Sequence, residues 1–329
     1  MTQYTAPVKD MMFTLTDILG MQDYCTTAGL EEFTPDTLEA VLSEGGKLID
    51  NKVAPFNLES DNEGAKFSND TGDGVVEFPQ SLVDAWHEYS AGGWAGLAFP
   101  SEYGGQGFGQ LGYVPFHEMM TSGSMSFVQA PGLTLGAMEA IKAHGTEEMR
   151  AMYFPKMASG EQIAAIAMTE PGTGSDLQAV KTTAIKDGNE YLINGSKTFI
   201  TNGGSADLVV LVAKTDPKSR SKGVSLLVVE TKDLDGYRVG RRLEKLGMKR
   251  NDTSELSFDN VRIPLTNLLG SEEGQGFYQL MKQLPWERLI LGYMALGSAQ
   301  CALKVTLEYV RERKAFGQRV MDFQNTRFK

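Results

Sequence analysis

The sequence predicts an α+β fold in three parts: an N-terminal helical domain over residues 1–160, a central β-barrel over 161–275 and a partial helical domain over 276–329. Apolar residues recur at helical spacing near both ends of the chain, and the period changes to two in the middle. Turn residues separate the middle strands at short intervals, which favours a small barrel or sandwich. A length of 329 residues fits two or three such domains.

The N-terminal part is predicted to be mainly helical. Residues 38–49 and 79–89 have apolar side chains at helical spacing, and Pro79 stands near the start of the second helix. Residues 121–143 are rich in Met, Ala and Leu and indicate a buried helix broken at Pro131-Gly132. Residues 99–107 are predicted to form a loop because of their glycines and proline.

The middle part is predicted to contain strands. Asn194-Gly195 lies between the β-type segments 190–193 and 197–201, and this dipeptide is a strong signal for a two-residue hairpin turn. Further strands are predicted at residues 163–167, 207–213, 223–229 and 255–264, the last one ended by Pro264.

The C-terminal part returns to helical spacing. A short helical piece is predicted at residues 277–284 and a long amphipathic helix at 287–313. A long helix followed by the beginning of another is not a complete bundle, so we expect a C-terminal domain that is cut short.

Composition excludes several kinds of partner. The net charge of −11 argues against a duplex nucleic acid, which needs a basic protein face. Cys25 and Cys301 are far apart in sequence and indicate reduced thiols, and the three histidines show no paired metal motif. No signal peptide or run of 18 apolar residues occurs, so we expect a cytoplasmic protein with no membrane span and no bound metal.

Residues 168–176, Met-Thr-Glu-Pro-Gly-Thr-Gly-Ser-Asp, follow the apolar strand 163–167 directly. Such a loop presents backbone N–H groups, and its hydroxyls at Thr169, Thr173 and Ser175 can bind a polar ring edge or a phosphate. It lacks the G-x-G-x-x-G fingerprint of dinucleotide-binding helices. On spacing alone, a polar loop after a strand is the simpler interpretation.

This segment resembles the first signature of acyl-CoA dehydrogenases, and it does not stand alone. Five motifs match the family in order and spacing over about residues 90–329. Residues 4–10 resemble a longer subgroup that includes methylthiopropanoyl-CoA dehydrogenases, whereas the chain from residue 240 onward resembles the long-chain type. The other four matching motifs are 100–107, 197–203, 245–264 and 312–318 with Gln324.

The resemblance implies FAD as the cofactor. The Thr169 hydroxyl would lie near flavin N5, and Phe199 would replace the family's usual tryptophan against the flavin. Arg313 would bind a phosphate of the FAD in a neighbouring subunit, although a solvent-exposed helix arginine is the alternative interpretation. The implied FAD contacts are Met168, Thr169, Gly174, Ser175, Phe199 and Thr201 in one subunit and Arg313, Phe316 and Gln324 from its neighbour.

The reaction of the family needs a carboxylate in a dry pocket to remove an α-proton from a thioester. Many members place this glutamate in the last helices, and others place it on the long helix just before an arginine. Glu287-Arg288 has the second form, so Glu287 is the candidate catalytic base. The alternatives are a first-turn helix glutamate, or a base in a missing C-terminal part. Arg288 would bind a CoA phosphate or brace the helix, and Ser175 would also contact the substrate.

The resemblance therefore implies FAD-dependent α,β-dehydrogenation of an acyl-CoA to a trans-2-enoyl-CoA, as in fatty-acid β-oxidation. Electrons would pass to an electron-transfer flavoprotein, and the chain would form a homo-oligomer, a tetramer or a dimer. One alternative is a flavin oxidase or monooxygenase on the same scaffold, which rapid reoxidation of the reduced flavin by oxygen would favour. Another is an inactive fragment, if a chain ending at Lys329 fails to assemble and to hold FAD.

Overall fold

The computed structural model describes residues 4–30, 33–68 and 75–329, and these form an α+β fold, as predicted. The helix α3 shows how local sequence sets an element: Thr34 accepts a hydrogen bond from the Thr37 N–H, and Pro35 follows at the first helical position. The N-terminal helices are α1 (Val8–Phe13), α2 (Met21–Ala28), α3 (Pro35–Leu48), α4 (Asn57–Glu63), α5 (Gln80–Ala91), α6 (Gly109–Gly123), α7 (Gln129–His144) and α8 (Glu147–Ala158). A hairpin of β1 (Lys66–Phe67) and β2 (Val76–Glu77) lies between α4 and α5.

The break between α6 and α7 does not lie at Pro131-Gly132, so that prediction was wrong. Pro131 is the third residue of α7, where a backbone N–H has no partner within the helix and a proline therefore costs little. The chain instead leaves α6 at Ser124, whose hydroxyl accepts a hydrogen bond from the Phe127 N–H at 3.1 Å.

The middle part is a seven-stranded mixed sheet that curls into a half-barrel. β3 runs parallel to β6, whereas β7 pairs with β6 on its other edge in antiparallel register. β6 is buried on both faces: Leu208, Val210 and Val212 pack against the helices, and Val209 and Leu211 fill the inside of the curl. The strands are β3 (Ala164–Ala167), β4 (Thr183–Asp187), β5 (Glu190–Thr201), β6 (Leu208–Lys214), β7 (Val224–Glu230), β8 (Tyr237–Arg242) and β9 (Thr253–Pro264).

Asn194-Gly195 does not form a hairpin turn, which corrects a second prediction. Both residues lie inside β5, where the pairing with β9 shifts register between Ile193 and Gly195. Gly195 has a φ of 151°, and a Cβ on it would lie 2.7 Å from the Thr182 Cα. The hairpin turn of this region lies between β4 and β5 instead, at Gly188 and Asn189.

A single helix, α9 (Gly276–Glu312), replaces the two predicted pieces 277–284 and 287–313. Pro285 lies within it, on the exposed side, where water can bond the carbonyl that a proline leaves unpaired. The chain ends in β10 (Lys314–Ala315), β11 (Gln318–Arg319) and α10 (Gln324–Phe328).

α9 packs against α6 and α7, and Gly297 permits this close approach because a Cβ there would lie 2.7 Å from Glu118 Cγ. By length and composition alone, α9 is the one helix among the described residues that could cross a membrane. One such helix is weak evidence, because core helices pass the same test. The absence of a membrane span stays a prediction.

Candidate active site

The main candidate site is a cavity of about 240 Å³ between the long helix, two N-terminal helices and the end of β3. Gly136 allows α7 to approach β3, since a Cβ on it would lie 3.2 Å from Ile166 Cδ1. The walls are mostly apolar, and the residues lining them include Val128, Leu133, Leu135, Ile166, Met168, Trp286, Ile290, Leu291 and Met294. An apolar cleft with few polar groups is typical of a small-molecule site.

Glu287 lines this cavity, as does Met168 at the start of the loop 168–176. The Glu287 carboxylate makes no hydrogen bond or ion pair with the residues that the structure describes. Burial raises the pKa of this carboxyl above its ordinary value, because leaving water penalises the charged form. A carboxylate with a raised pKa and no partner is free to accept a proton from a bound ligand.

Sequence reasoning missed Glu139, Gln129 and His117, which line the same cavity. Gln129 and Glu139 lie in α7, within the segment 121–143 that the sequence predicts to be a buried helix, and His117 lies in α6. His117 is 1 % exposed, and burial lowers its pKa to about 4, so its imidazole is uncharged at neutral pH. A buried histidine on an apolar helix face gives no sequence signal that separates a packing role from a binding role.

A buried ion pair fixes the start of the loop 168–176, and sequence reasoning missed it as well. Lys197 of β5 donates to the Glu170 carboxylate at 2.9 Å and to the Met168 carbonyl at 3.0 Å. The Lys181 and Thr182 N–H groups also donate to Glu170. Burial raises the pKa of Glu170, but Lys197 and these donors outweigh it and hold the pKa below its usual value. The loop is therefore anchored at one end.

The loop is open to a ligand at Gly174 and Ser175, whereas Thr173 is buried and its hydroxyl donates to the Ala179 carbonyl at 3.2 Å. Gly174 and Ser175 are exposed, and a Cβ added at Gly172 or Gly174 would meet no atom within 4 Å. The Thr198 N–H donates to the Thr169 carbonyl at 2.9 Å, so the end of β3 is joined to the end of β5. The structure thus brings together the predicted FAD contacts Met168, Thr169, Gly174, Ser175, Phe199 and Thr201 on adjoining segments.

Phe199 fits a planar ligand. Its φ is +60°, an uncommon conformation for a bulky residue, and the side chain is 67 % exposed. A register shift between Lys197 and Ile200 in the pairing with β9 accompanies this conformation. An exposed aromatic ring beside an open glycine loop is a surface on which a flavin ring can stack. The residues present therefore fit FAD.

Three further predicted FAD contacts lie elsewhere in the chain. Arg313 follows α9 directly, Phe316 is 97 % exposed in the turn between β10 and β11, and Gln324 begins α10. From Glu287 to Arg313 the helix advances by 26 residues, or roughly 39 Å. One chain therefore does not bring these three residues to the loop 168–176.

Arg288, the predicted substrate contact beside Glu287, is exposed and does not line the cavity. Among the described residues, no group of three or more His, Cys, Asp or Glu side chains could hold a metal ion. Cys25 is buried and Cys301 partly buried, and both are free thiols.

An apolar cleft with an unpartnered carboxylate, next to an open loop and an exposed aromatic ring, fits a flavin-dependent oxidoreductase. Models of the acyl-CoA dehydrogenase N-terminal, middle and C-terminal domains match residues 36–161, 165–261 and 274–329. The chain belongs to the acyl-CoA dehydrogenase family, whose members are FAD-dependent flavoproteins, and both the family and the cofactor agree with the prediction from the motifs.

Individual proteins support this membership. The chain is 41 % identical over 251 residues to the mitochondrial long-chain specific acyl-CoA dehydrogenase of Rattus norvegicus. The aligned residues cover 75 % of this chain and 57 % of that enzyme. A crystal structure of an acyl-CoA dehydrogenase from Geobacillus kaustophilus matches with a TM-score of 0.79 and 38 % identity, covering 90 % of this chain and 74 % of that one.

A third match is a solved structure described as the electron transferring flavoprotein of Acidaminococcus fermentans, in a study of flavin-based electron bifurcation. It has a TM-score of 0.79 and 31 % identity and covers 90 % of this chain and 73 % of that one. The chain thus spans somewhat more than half the length of the rat relative and about three quarters of the solved structures.

Proposed function

We propose that this chain catalyses the FAD-dependent α,β-dehydrogenation of an acyl-CoA thioester to a trans-2-enoyl-CoA, with Glu287 as the base. The observation that carries the proposal is the position of Glu287. Its unpartnered carboxylate lines the same apolar cavity as Met168, at the start of the loop that fits a flavin.

Glu287 would remove the α-proton of the bound acyl group, and FAD, when bound, supplies the acceptor for the β-hydride. The apolar walls around Trp286 and Ile290 would hold the acyl chain and exclude water. Exclusion of water raises the basicity of Glu287, which is the direction in which burial moves its pKa. Lys197 and Glu170 would fix the loop, so that Thr169 and Phe199 are held in position for the flavin.

Ser175 and Arg288 are exposed polar groups, and we propose them as contacts for the CoA part of the substrate. We further propose an electron-transfer flavoprotein as the acceptor, which the match to the Acidaminococcus fermentans structure supports. We also propose that the chain forms a homo-oligomer and acts in the cytoplasm.

An anaerobic titration of the FAD-loaded protein with saturated acyl-CoAs of increasing chain length tests the reaction. We expect the flavin absorbance to fall and the enoyl-CoA to appear in equal amount, whereas free CoA should leave the spectrum unchanged. A flavin that no acyl-CoA reduces would contradict the proposal. Rapid reoxidation by oxygen after reduction would favour the oxidase or monooxygenase alternative.

A further inference from the structure

His117 and two tyrosines form a buried polar group beside the cavity that the proposed reaction does not use. The His117 ring stacks on Tyr113 with centroids 5.0 Å apart, and Tyr293 meets it edge-on at 5.6 Å. The His117 Nδ1, the Tyr113 hydroxyl and the Tyr293 hydroxyl are all buried and have no hydrogen-bond partner among the described residues. Buried polar atoms are rarely left unpaired in a folded protein, because each one costs free energy.

The cavity reaches His117, because this residue is part of its lining although it is only 1 % exposed. Gly132 of α7 leaves the imidazole uncovered: a Cβ on Gly132 would lie 3.7 Å from His117 Nε2. A side chain at that position would contact the ring.

His117 contacts α9 beyond Glu287. Its neighbour Tyr293 is six residues beyond Glu287 on α9, an advance of about 9 Å along the helix axis. A ligand whose reacting carbons lie at Glu287 would therefore meet His117 only with a distant part of its acyl chain.

The chemistry at this end favours a neutral polar group. The His117 imidazole is uncharged at neutral pH, with one nitrogen that donates and one that accepts a hydrogen bond. Burial in apolar surroundings is what lowers its pKa. The charged side chains that line this cavity, Glu139 and Glu287, are both acidic, so a ligand carboxylate would be buried there without a counter-charge, which is costly.

We infer that His117 selects an acyl chain that carries a hydroxyl group near its far end, through a hydrogen bond to the imidazole that Gly132 leaves open. This inference rests on the proposed acyl-CoA function and makes its substrate class more specific: a hydroxyacyl-CoA rather than a plain alkanoyl-CoA. His117 acts on specificity, not on the reacting carbons.

Binding of unreactive CoA thioethers to the FAD-loaded protein tests this inference without turnover. The probes are S-alkyl-CoA and S-(hydroxyalkyl)-CoA of equal heavy-atom number, with the hydroxyl moved one carbon at a time, and isothermal titration calorimetry gives each Kd. For one hydroxyl position we expect about tenfold tighter binding than for the alkyl ligand, the size of one net hydrogen bond.

His117→Phe should bring the ratio of the two Kd values to about one. Gly132→Ala should do the same, and its methyl group would rest on Nε2 at ordinary contact distance, so this variant keeps the fold. His144→Gln is the matched control, because His144 lies at the end of α7 outside this cavity, and it should keep the tenfold preference.

Equal Kd values in the unmodified protein, or a preference that survives in both cavity variants, would overturn the inference alone. Failure of both thioethers to bind would overturn the proposed acyl-CoA function and this inference with it.

Discussion

Glu287 has the side chain, the burial and the isolation that a base needs, and Glu139 offers a direct comparison in the same cavity. Glu287→Gln removes the base and keeps the shape, so FAD should bind as before while flavin reduction by acyl-CoA slows by about 10²- to 10⁴-fold. In Glu139→Gln, acyl-CoA should reduce the flavin at the normal rate. Stopped-flow absorbance of the flavin measures the reduction rate of both variants. Slow reduction in Glu139→Gln together with a normal rate in Glu287→Gln would identify Glu139 as the base instead.

Burial of Glu287 also predicts a pH dependence. Because its pKa is raised, the carboxylate form that removes a proton is lost at a higher pH than for an ordinary glutamate. The rate of flavin reduction should therefore fall as the pH falls through this raised pKa, and the profile should become flat in Glu287→Gln.

The raised pKa of Glu287 also affects the stability of the fold, which changes with pH in the opposite direction to the rate of flavin reduction. The folded state favours the neutral carboxyl, so stability is lost as the pH rises through the folded pKa. At neutral pH, Glu287→Gln should be at least as stable to urea as the unmodified protein, and a marked loss of stability would show that the carboxylate has a partner in the fold.

Individual residues differ in how far the sequence could predict them. Glu287 was predicted by its place before Arg288 in a family motif. The partnership of Lys197 with Glu170 joins residues 27 positions apart, and only the fold, with its hydrogen bond from the Thr198 N–H to the Thr169 carbonyl, brings them together. Nothing in the sequence indicated a binding role for His117, since that role depends on the neighbouring Gly132 and on the cavity that both residues line.

At the scale of elements, the bulge at Gly195 is the feature in which local sequence was most misleading. Gly195→Ala should destabilise the protein, by about 1–3 kcal/mol for the backbone conformation alone, because φ is 151° and the new Cβ would meet Thr182. Gly292→Ala on α9 is the control: no atom lies within 4 Å of its Cβ, so the helix should gain about 0.5–1 kcal/mol. Urea unfolding midpoints measure both, and equal shifts would mean that the bulge has no special requirement.

The order and type of most elements followed from apolar periodicity, but two local signals, Asn194-Gly195 and Pro131-Gly132, were misread. Asn194-Gly195 has the composition of a tight turn, yet it bends a long strand that pairs with β9 on both sides of the bulge. Pro131 and Pro285 both lie inside helices, one within the first turn and one on an exposed side. Each of these residues would normally cost free energy inside a helix or a strand, but its position in the fold avoids that cost. Only the tertiary structure reveals this position.

At the scale of the whole molecule, the predicted FAD contacts fall into two separate groups. The loop 168–176 and Phe199 lie near the cavity, while Arg313, Phe316 and Gln324 lie beyond the far end of α9. Large apolar side chains are exposed along this helix and after it, including Leu289, Leu296, Leu303, Tyr309 and Phe316. An extended apolar surface of this kind is typical of an interface, so we expect a second subunit to bring Arg313 to the flavin.

Mixing two defective variants tests this arrangement. Phe199→Asp should remove the stacking surface while keeping the backbone, because aspartate tolerates the left-handed conformation at this exposed position. Arg313→Glu should remove the contact from the other group, and each variant alone should bind FAD weakly. In a mixed dimer, the Arg313→Glu chain supplies an intact loop and the Phe199→Asp chain supplies an intact Arg313, so one site of the two is complete. Equal co-expression with random pairing should therefore restore about a quarter of the normal FAD content, measured by flavin absorbance per subunit. If both groups serve the flavin of their own chain, mixing will restore nothing.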